Sequence, residues 1–482
     1  MRISPKPPAN APAIKQGKTG ITMRRRFLQH IYFLSGVVPG VLAALAGSLV
    51  HAQEAGEPAE SDRSRLPLLY IDPPVFVEDG VNPVMPLKAL VVDPESDPAF
   101  GQRLDSIRLY SNTVADIELD GGAWDRDLVE ELASLGRLQQ QQGDHGGAIQ
   151  TLDRAIHVNR INSGLYTLEQ IPVVEQLISS HMALGNWEEA DTYNNYLFHV
   201  QQKAYGLNDP RLIPVLDRLA TWNVQAFKIG YGNLLGIKLR QSQIMFNAAA
   251  RMVSLHFGKA DKRFINYQRN IATSAYLVAK NPDLMAEIGN PEYRSMQQML
   301  AEKLNGQRQV QPPGFQTGER ALMEIAMFYQ EQGDDSYGLA EAITYLADWY
   351  LMFGQRQGAL KNYKLAWDML QELEDSEELT SQLFGKVTPL PAFGSSIETP
   401  DALYTNEDGT EALSFDYADL TFDVTADGLA RKVVSISEET QDNQMQLGKL
   451  RRSVRSMRFR PVLVDGEPAR SFENHFRYRY WY

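Results

Sequence analysis

The sequence predicts a mostly α-helical chain, an α-solenoid of paired helices followed by a small α+β module. Two observations carry that expectation. Ile171-Pro172-Val173-Val174-Glu175-Gln176-Leu177 recurs as Ile213-Pro214-Val215-Leu216-Asp217-Arg218-Leu219, an offset of 42 residues. From Leu413 the apolar period changes from helical to two, with Leu420, Phe422 and Val424 alternating with Thr421, Asp423 and Thr425. A chain of 482 residues, 43% of them hydrophobic, is long enough for several cores at the usual ~100–200 residues per domain. It has no cysteine, which excludes disulfides, thiolate metal sites, thiol nucleophiles and cysteine-held iron–sulfur clusters.

Charge divides the chain. Residues 1–52 hold seven Lys/Arg and no Asp or Glu, so the rest carries −20 behind a net charge of −13. That acidic remainder argues against nucleic acid as a partner and against general attraction to anionic membranes. Within 1–52, Arg24, Arg25 and Arg26 precede an uncharged apolar stretch from Ile31 to Val50, and Val50-His51-Ala52 ends it with small residues ahead of Gln53. Basic, apolar, then small is the order of a secretory signal peptide. Pro39, Gly36, Gly40 and Gly47 weaken a spanning helix there, which favours cleavage. An uncleaved anchor is the alternative, because about 20 apolar residues span a bilayer. Arg24-Arg25-Arg26-Phe27-Leu28-Gln29 resembles a twin-arginine export signal with Met23 in place of the usual Ser or Thr, and an ordinary basic leader region is the competing reading. The prolines at 5, 7, 8 and 12 do not suit a leader, so Met23 is a candidate start. The expected compartment is a Gram-negative periplasm; with the leader uncleaved, it is the inner membrane facing the periplasm.

Residues 53–124 are expected to form an extended, Pro-rich N-terminal segment, with Val75–Val77 and Leu90–Val92 as short strands or a hairpin. Helical spacing begins near Asp125. Stepping back 42 from the repeated heptapeptide reaches Val129–Leu135, and the same offset pairs Gly143 with Gly185 and Ala148 with Ala190. Leu135-Gly136, Gly143, Ala148, Leu152 and Ala155, and later Leu346-Ala347, Tyr350, Gly354, Ala359, Tyr363 and Ala366, resemble the tetratricopeptide (TPR) helix–turn–helix. The long offset resembles its kinesin-light-chain-like variety. Arg160 stands where a proline commonly closes the unit, and the third copy loses its Gly/Ala signature after Leu219. Gln241–Leu255 and Lys262–Val278 are expected helices of degenerate repeats, punctuated by Pro282, Pro291, Pro312 and Pro313. The array is expected over 125–374 with about four to six repeats. An acidic, then Pro/Gly/Ser-rich linker is expected over 375–412.

In the terminal module, 413–482, Asp427-Gly428 and Asp465-Gly466 are turn signals, and Leu447, Leu450, Val454 and Met457 form one stripe of a helix from Asn443 to Met457. Strands are expected from Leu413, over Ala430–Ile436, over Phe459–Val464 and over Phe472–Trp481. Phe422-x-Val424-x-x-Asp427-Gly428, Arg458-Phe459-Arg460-Pro461, Gly466-x-Pro468 and Phe476-x-Tyr478-x-Tyr480 resemble the TonB C-terminal domain over about a seventh of the chain. That resemblance implies a small sheet with a helix that docks an extended peptide by edge-strand addition. No Pro/Lys/Glu-rich spacer precedes it, so the binding mode carries over and the energy coupling does not. Arg458, Arg460, Arg477, Arg479, Tyr478 and Tyr480 are the candidate partner-binding residues. Residues 449–482 hold nine Lys/Arg against three Asp/Glu, which suits either an acidic partner or pairing with the acidic solenoid.

Catalytic signals are absent. The eight histidines are scattered, with no HExxH, G-x-S-x-G, Walker A or dinucleotide fingerprint, so no catalytic, metal or cofactor residue is assigned. His181 fits inter-helix packing. Glu188-Glu189 and Asp334-Asp335 fit helix starts, and Trp349, Tyr350, Phe353, Tyr363 and Trp367 fit repeat core better than a ligand cage. The expected function is a periplasmic protein–protein interaction scaffold with other envelope proteins as partners, and not an enzyme. Polar groups around Asn194, on first helices of the pairs, are its candidate contacts. A membrane is a partner only if the leader is uncleaved. The alternatives are a TonB-type energy transducer anchored in the inner membrane and an enzyme with a dispersed site.

Overall fold

The repeated heptapeptide folds as two helices with the same buried stripe: Val173, Val174 and Leu177 on one, and Val215, Leu216 and Leu219 on the other. Each begins with proline in its first turn, where the missing N–H is no loss. These coordinates are a computed structural model, which describes residues 70–71, 74–77, 98–232, 234–286, 311–397, 415–437 and 444–481, all within one compact unit, Glu60–Tyr482. The expected leader lies outside the described residues, as does Leu90–Val92. Among the described residues no helix is long and apolar enough to cross a membrane.

The solenoid runs α1 (Phe100–Gly121), α2 (Leu128–Gln141), α3 (His145–Ser163), α4 (Ile171–Ala183), α5 (Trp187–Tyr205), α6 (Ile213–Lys228), α7 (Leu235–Phe257), α8 (Lys262–Lys280), the short α9 (Pro282–Ala286), α10 (Phe315–Gln332), α11 (Ser336–Met352) and α12 (Arg356–Leu370). Consecutive helices pack on each other, except that α10 packs on α8 across the insertion holding α9. Gly136 shows why a small residue sits in α2: a Cβ there would fall 2.6 Å from Leu152 of α3. The extended segment expected over 53–124 is corrected at its C-terminal part, where α1 is a 22-residue helix. No proline occurs between Pro98 and Pro172, and α1 buries fully only Val114, so its stripe is weak as the end helix of the stack.

The repeat continues past Leu219 with a changed length. Asp209 caps the turn into α6 and Asp261 the turn into α8 in the same way. Each accepts the backbone N–H two residues on at 2.9 Å and holds the guanidinium of Arg211 or Arg263 at 2.7 Å. Those guanidiniums lie 4.1 Å over Tyr205 and Phe257, so the motif recurs at 52 residues, not 42. The ten extra residues lengthen both helices and their connection: α6 and α7 have 16 and 23 residues, against 13 and 19 in α4 and α5. The hydrogen bonds from Arg211 hold the Asp209 carboxyl down to about 2. A depressed carboxyl stabilises the fold above its unfolded value near 4, and that contribution disappears as pH falls toward about 2. Titration by NMR is expected to show this midpoint, and Arg211→Ala, which removes the guanidinium donors but keeps the backbone N–H, should raise it part of the way to the ordinary carboxylate range.

The terminal module keeps its expected α+β character. Strand β4 (Phe415–Val424) is central, with β5 (Ala430–Ser435) on one side and β9 (Ser471–Trp481) on the other, all antiparallel. Alternation places Ala418, Leu420, Phe422, Phe476, Tyr478 and Tyr480 on one face, where α14 (Gln444–Ser456) lays down Leu447, Leu450 and Val454. The strand expected over Phe459–Val464 is split into β6 (Phe459–Arg460) and β7 (Leu463–Val464); β7 pairs with β8 (Glu467–Pro468). Asp465 and Gly466 both have positive φ (52° and 79°), the two-residue hairpin turn that the Asp-Gly pair favours.

The linker expected over 375–412 is also corrected where it is described. It contains α13 (Ser376–Phe384) and strand β3 (Thr388–Pro389), which pairs with β6. Phe384, Val387, Leu390 and Phe393, three residues apart, are all buried. Buried Asn270 of α8 then bonds Ser395 and Ser396 at 2.9–3.1 Å. Three of those contacts span 126 residues and fasten the connector to the helices.

Candidate functional site

Two surfaces present groups that a partner could use. The first lies between α4 and α6. Glu175, Ile178, Ser179 and Met182 face Arg218, Thr221, Trp222 and Gln225 across an open cavity of about 450 Å³, and Asn194 joins from α5. Asn194, expected on a first helix, sits instead on the second helix of its pair, buried and donating to the Ala190 carbonyl at 2.8 Å. The floor is rigid. The Trp222 indole N–H donates to Asp191 at 2.6 Å, and Lys238 of α7 holds the same carboxylate oxygen at 2.7 Å. Gln140 of α2 donates to the Gln176 carbonyl and to Ser180 at 2.6 and 2.7 Å, fixing the neighbouring helix. At the rim, Arg218 and Glu175 pair while each stays more than a third exposed (44% and 38%), so their attraction is screened and the pair can open to an incoming group. His181 has its proton affinity lowered by burial and stacks on Tyr193, as expected of a packing residue.

The second surface is the terminal sheet. Here the six candidate residues are mostly structural. Tyr478 and Tyr480 lie in the core, fully buried. Arg477 forms a cross-strand pair with Asp419 at 2.7 and 2.8 Å. Arg479 is buried and lies 5.2 Å over Trp481, and Arg458 is half-buried beside the bridge to Leu429. Arg460 is enclosed between the module and α11: Nε and Nη2 donate to Asp348 at 3.0 and 2.6 Å, and Nη1 to the Leu383 carbonyl at 3.2 Å. Burial works against its charge, yet the Asp348 carboxylate outweighs burial and holds the guanidinium above its usual range. Burial and the same carboxylate raise the Tyr363 hydroxyl, which donates to Asp348 at 2.7 Å. The local basic excess thus partly pairs with the acidic solenoid.

Sequence reasoning missed what lies on the outer edge of β9. Strands β1 (Tyr70–Ile71) and β2 (Val75–Phe76) pair with it antiparallel, Ile71 opposite Tyr480 and Phe76 opposite Phe476. Two-residue strands have no readable period, so only the apolar run at Val75–Val77 hinted at them. The opposite edge, β5, carries exposed Arg431 and Lys432, with Lys432 at φ 51° beside a register shift, features that discourage further pairing.

Asp335 caps α11 through the Gly338 N–H, Glu188 and Glu189 lie in the first turn of α5, and Trp349 and Tyr363 are core. Among the described residues no group of three or more His, Asp or Glu side chains is arranged to hold a metal.

No family model matches the chain, and no curated protein matches it. Solved structures do. One, described as kinesin light chain nearly identical TPR-like repeats from Podosopora anserina, is 13% identical over 52% of this chain and 99% of its own, with a TM-score of 0.34. BtubC (BKLC) from P. vanneervenii is 13% identical over 58% of this chain and 94% of its own, at 0.32. The chain is thus similar over about half its length to TPR-like repeat structures, a likeness of helical architecture alone.

Proposed function

We propose that the protein is an interaction scaffold of the periplasm, binding a polypeptide segment in the α4–α6 groove and a second partner at its terminal sheet. The open, partly apolar groove carries this reading. It has a hydrogen-bonded aromatic floor at Trp222 and an exchangeable ion pair at its rim. Solenoids of helix pairs present long, shallow faces of this kind, suited to other proteins. Two sites on one chain raise the effective concentration of one partner near the other. The basic, apolar and small-residue order of 24–52 supports export, with cleavage before Gln53 readable by N-terminal sequencing of the exported chain. The Arg458-Phe459-Arg460-Pro461 and Gly466-x-Pro468 motifs and the helix-backed sheet support a TonB C-terminal-like module that works by strand pairing.

The groove is tested by selecting peptides from a random display library on the full chain and titrating them against Arg218→Glu. Selected peptides are expected to lose at least about tenfold in affinity, the effect of ~1.4 kcal/mol. Peptides indifferent to both Arg218→Glu and Ser179→Trp would contradict the proposed site.

A further inference from the structure

We propose that β1 and β2 together are an exchangeable, cis-acting element that occupies the partner-accepting edge of the terminal sheet. The inference rests on the strand-pairing reading of that module and adds its regulation and the form of its partner.

The sequence of the occupant is poor in ladder donors. Tyr70 and Ile71 oppose Trp481 and Tyr480, and Val75 and Phe76 oppose Arg477 and Phe476, with the Val77 N–H reaching the His475 carbonyl at 2.9 Å. Between the two short ladders the sequence reads Asp72-Pro73-Pro74, and proline has no N–H to donate to a ladder. The registers differ as well: three residues separate Ile71 from Val75, but only two separate their partners Tyr480 and Arg477. Lys386 lies 5.7 Å over the Phe76 ring. Ile71 and Phe76 pack against the core from its margin, Phe76 edge-on to Phe476 at 5.2 Å. The same core also takes Leu447, Leu450 and Val454 of α14 and Ala418, Leu420 and Phe422 of β4.

A fully paired replacement would make ladder bonds that the cis strand cannot. The fitting partner is an extended segment antiparallel to β9, apolar where Ile71 and Phe76 sit, and free of proline between them. The cis strand competes by tethering, at an effective concentration on the order of millimolar. The gate therefore sets an affinity threshold that a proline-containing or weakly apolar segment does not pass.

The chain has no cysteine, so a designed pair can lock the strand without competing thiols. Val75 and Arg477 are register partners in a hydrogen-bonded pair, a geometry with Cα atoms about 5.5 Å apart and within disulfide range. The probe is a fluorescent peptide of residues 68–79 carrying Pro73→Thr and Pro74→Thr, titrated into the full chain. Phe76→Asp should bind it at least about tenfold more tightly than the unaltered chain. The Val75→Cys/Arg477→Cys chain should bind it when reduced and at least about tenfold more weakly when oxidised. Equal binding in both redox states would overturn the gate. Binding to no form would overturn strand pairing at this module itself, leaving the groove to its own test. A pair that joins only between molecules would show that residues 70–77 do not lie on β9 of their own chain.

Discussion

Arg460→Ala is expected to lower the unfolding free energy by about 3–5 kcal/mol, measured by urea denaturation. The magnitude follows from what remains behind. Asp348 has no solvent exposure, and without the guanidinium its carboxylate keeps only the Tyr363 hydroxyl among the contacts described. A second consequence is spatial. Arg460 belongs to β6, Asp348 to α11, and Leu383, whose carbonyl takes the third hydrogen bond, to α13. The loss falls on the seam between module and solenoid, so the terminal sheet is expected to melt first and the single transition to broaden. Lysine at 460 should rescue little, because one ammonium cannot reproduce the forked contact. Asp348→Leu combined with Arg460→Leu should recover most of the loss, since replacing both partners leaves no buried charge. A single alanine variant as stable as the parent would show that the seam does not depend on this pair.

Trp349→Ala is the other large effect, expected to cost about 3–5 kcal/mol in the same assay. Trp349 is completely buried in α11, with ring centroids 5.9 Å from Phe315, 4.8 Å from Phe353 and 6.1 Å from Phe393. It therefore joins α10 to the connector that leads to the sheet. Gly318 of α10 lies so close to the indole that a Cβ there would be 2.2 Å from it, which leaves neighbouring atoms little room to fill the cavity. The indole N–H has no hydrogen-bond partner in this pocket, so Trp349→Phe removes volume without orphaning an acceptor and should cost far less, under about 1.5 kcal/mol. Comparable losses for Ala and Phe would mean that the N–H, and not packing, holds the site.

Both residues illustrate which parts of the protein were legible in its residues. The helix pairs around Val173 and Val215 were readable because identical packing demands recur at a constant spacing. The sheet was readable because Leu420, Phe422 and Val424 alternate about a buried face. The unit after Leu219 was hidden by ten inserted residues, although Tyr205-Gly206 with Asp209 and Arg211 returns as Phe257-Gly258 with Asp261 and Arg263. The connector was obscured by its Pro/Gly/Ser composition, while Phe384, Val387, Leu390 and Phe393 carried a countable apolar period of three. Arg460 looked like a surface contact because its partner lies 112 residues away, a distance that no local pattern spans. The groove followed the same rule: Glu175, Asn194 and Arg218 converge only through the superposition of successive helices.

Photo-crosslinking tests most directly whether the α4–α6 groove holds a polypeptide partner. A benzophenone amino acid replaces Ser179, exposed at the groove, or Lys203, exposed on α5 outside it, in the full chain within cells that make it. The prediction is a discrete adduct from position 179 that maps to one continuous segment of another protein, disappears with Arg218→Glu and is missing at position 203. Adducts equal at the two positions, or unchanged by Arg218→Glu, would contradict it.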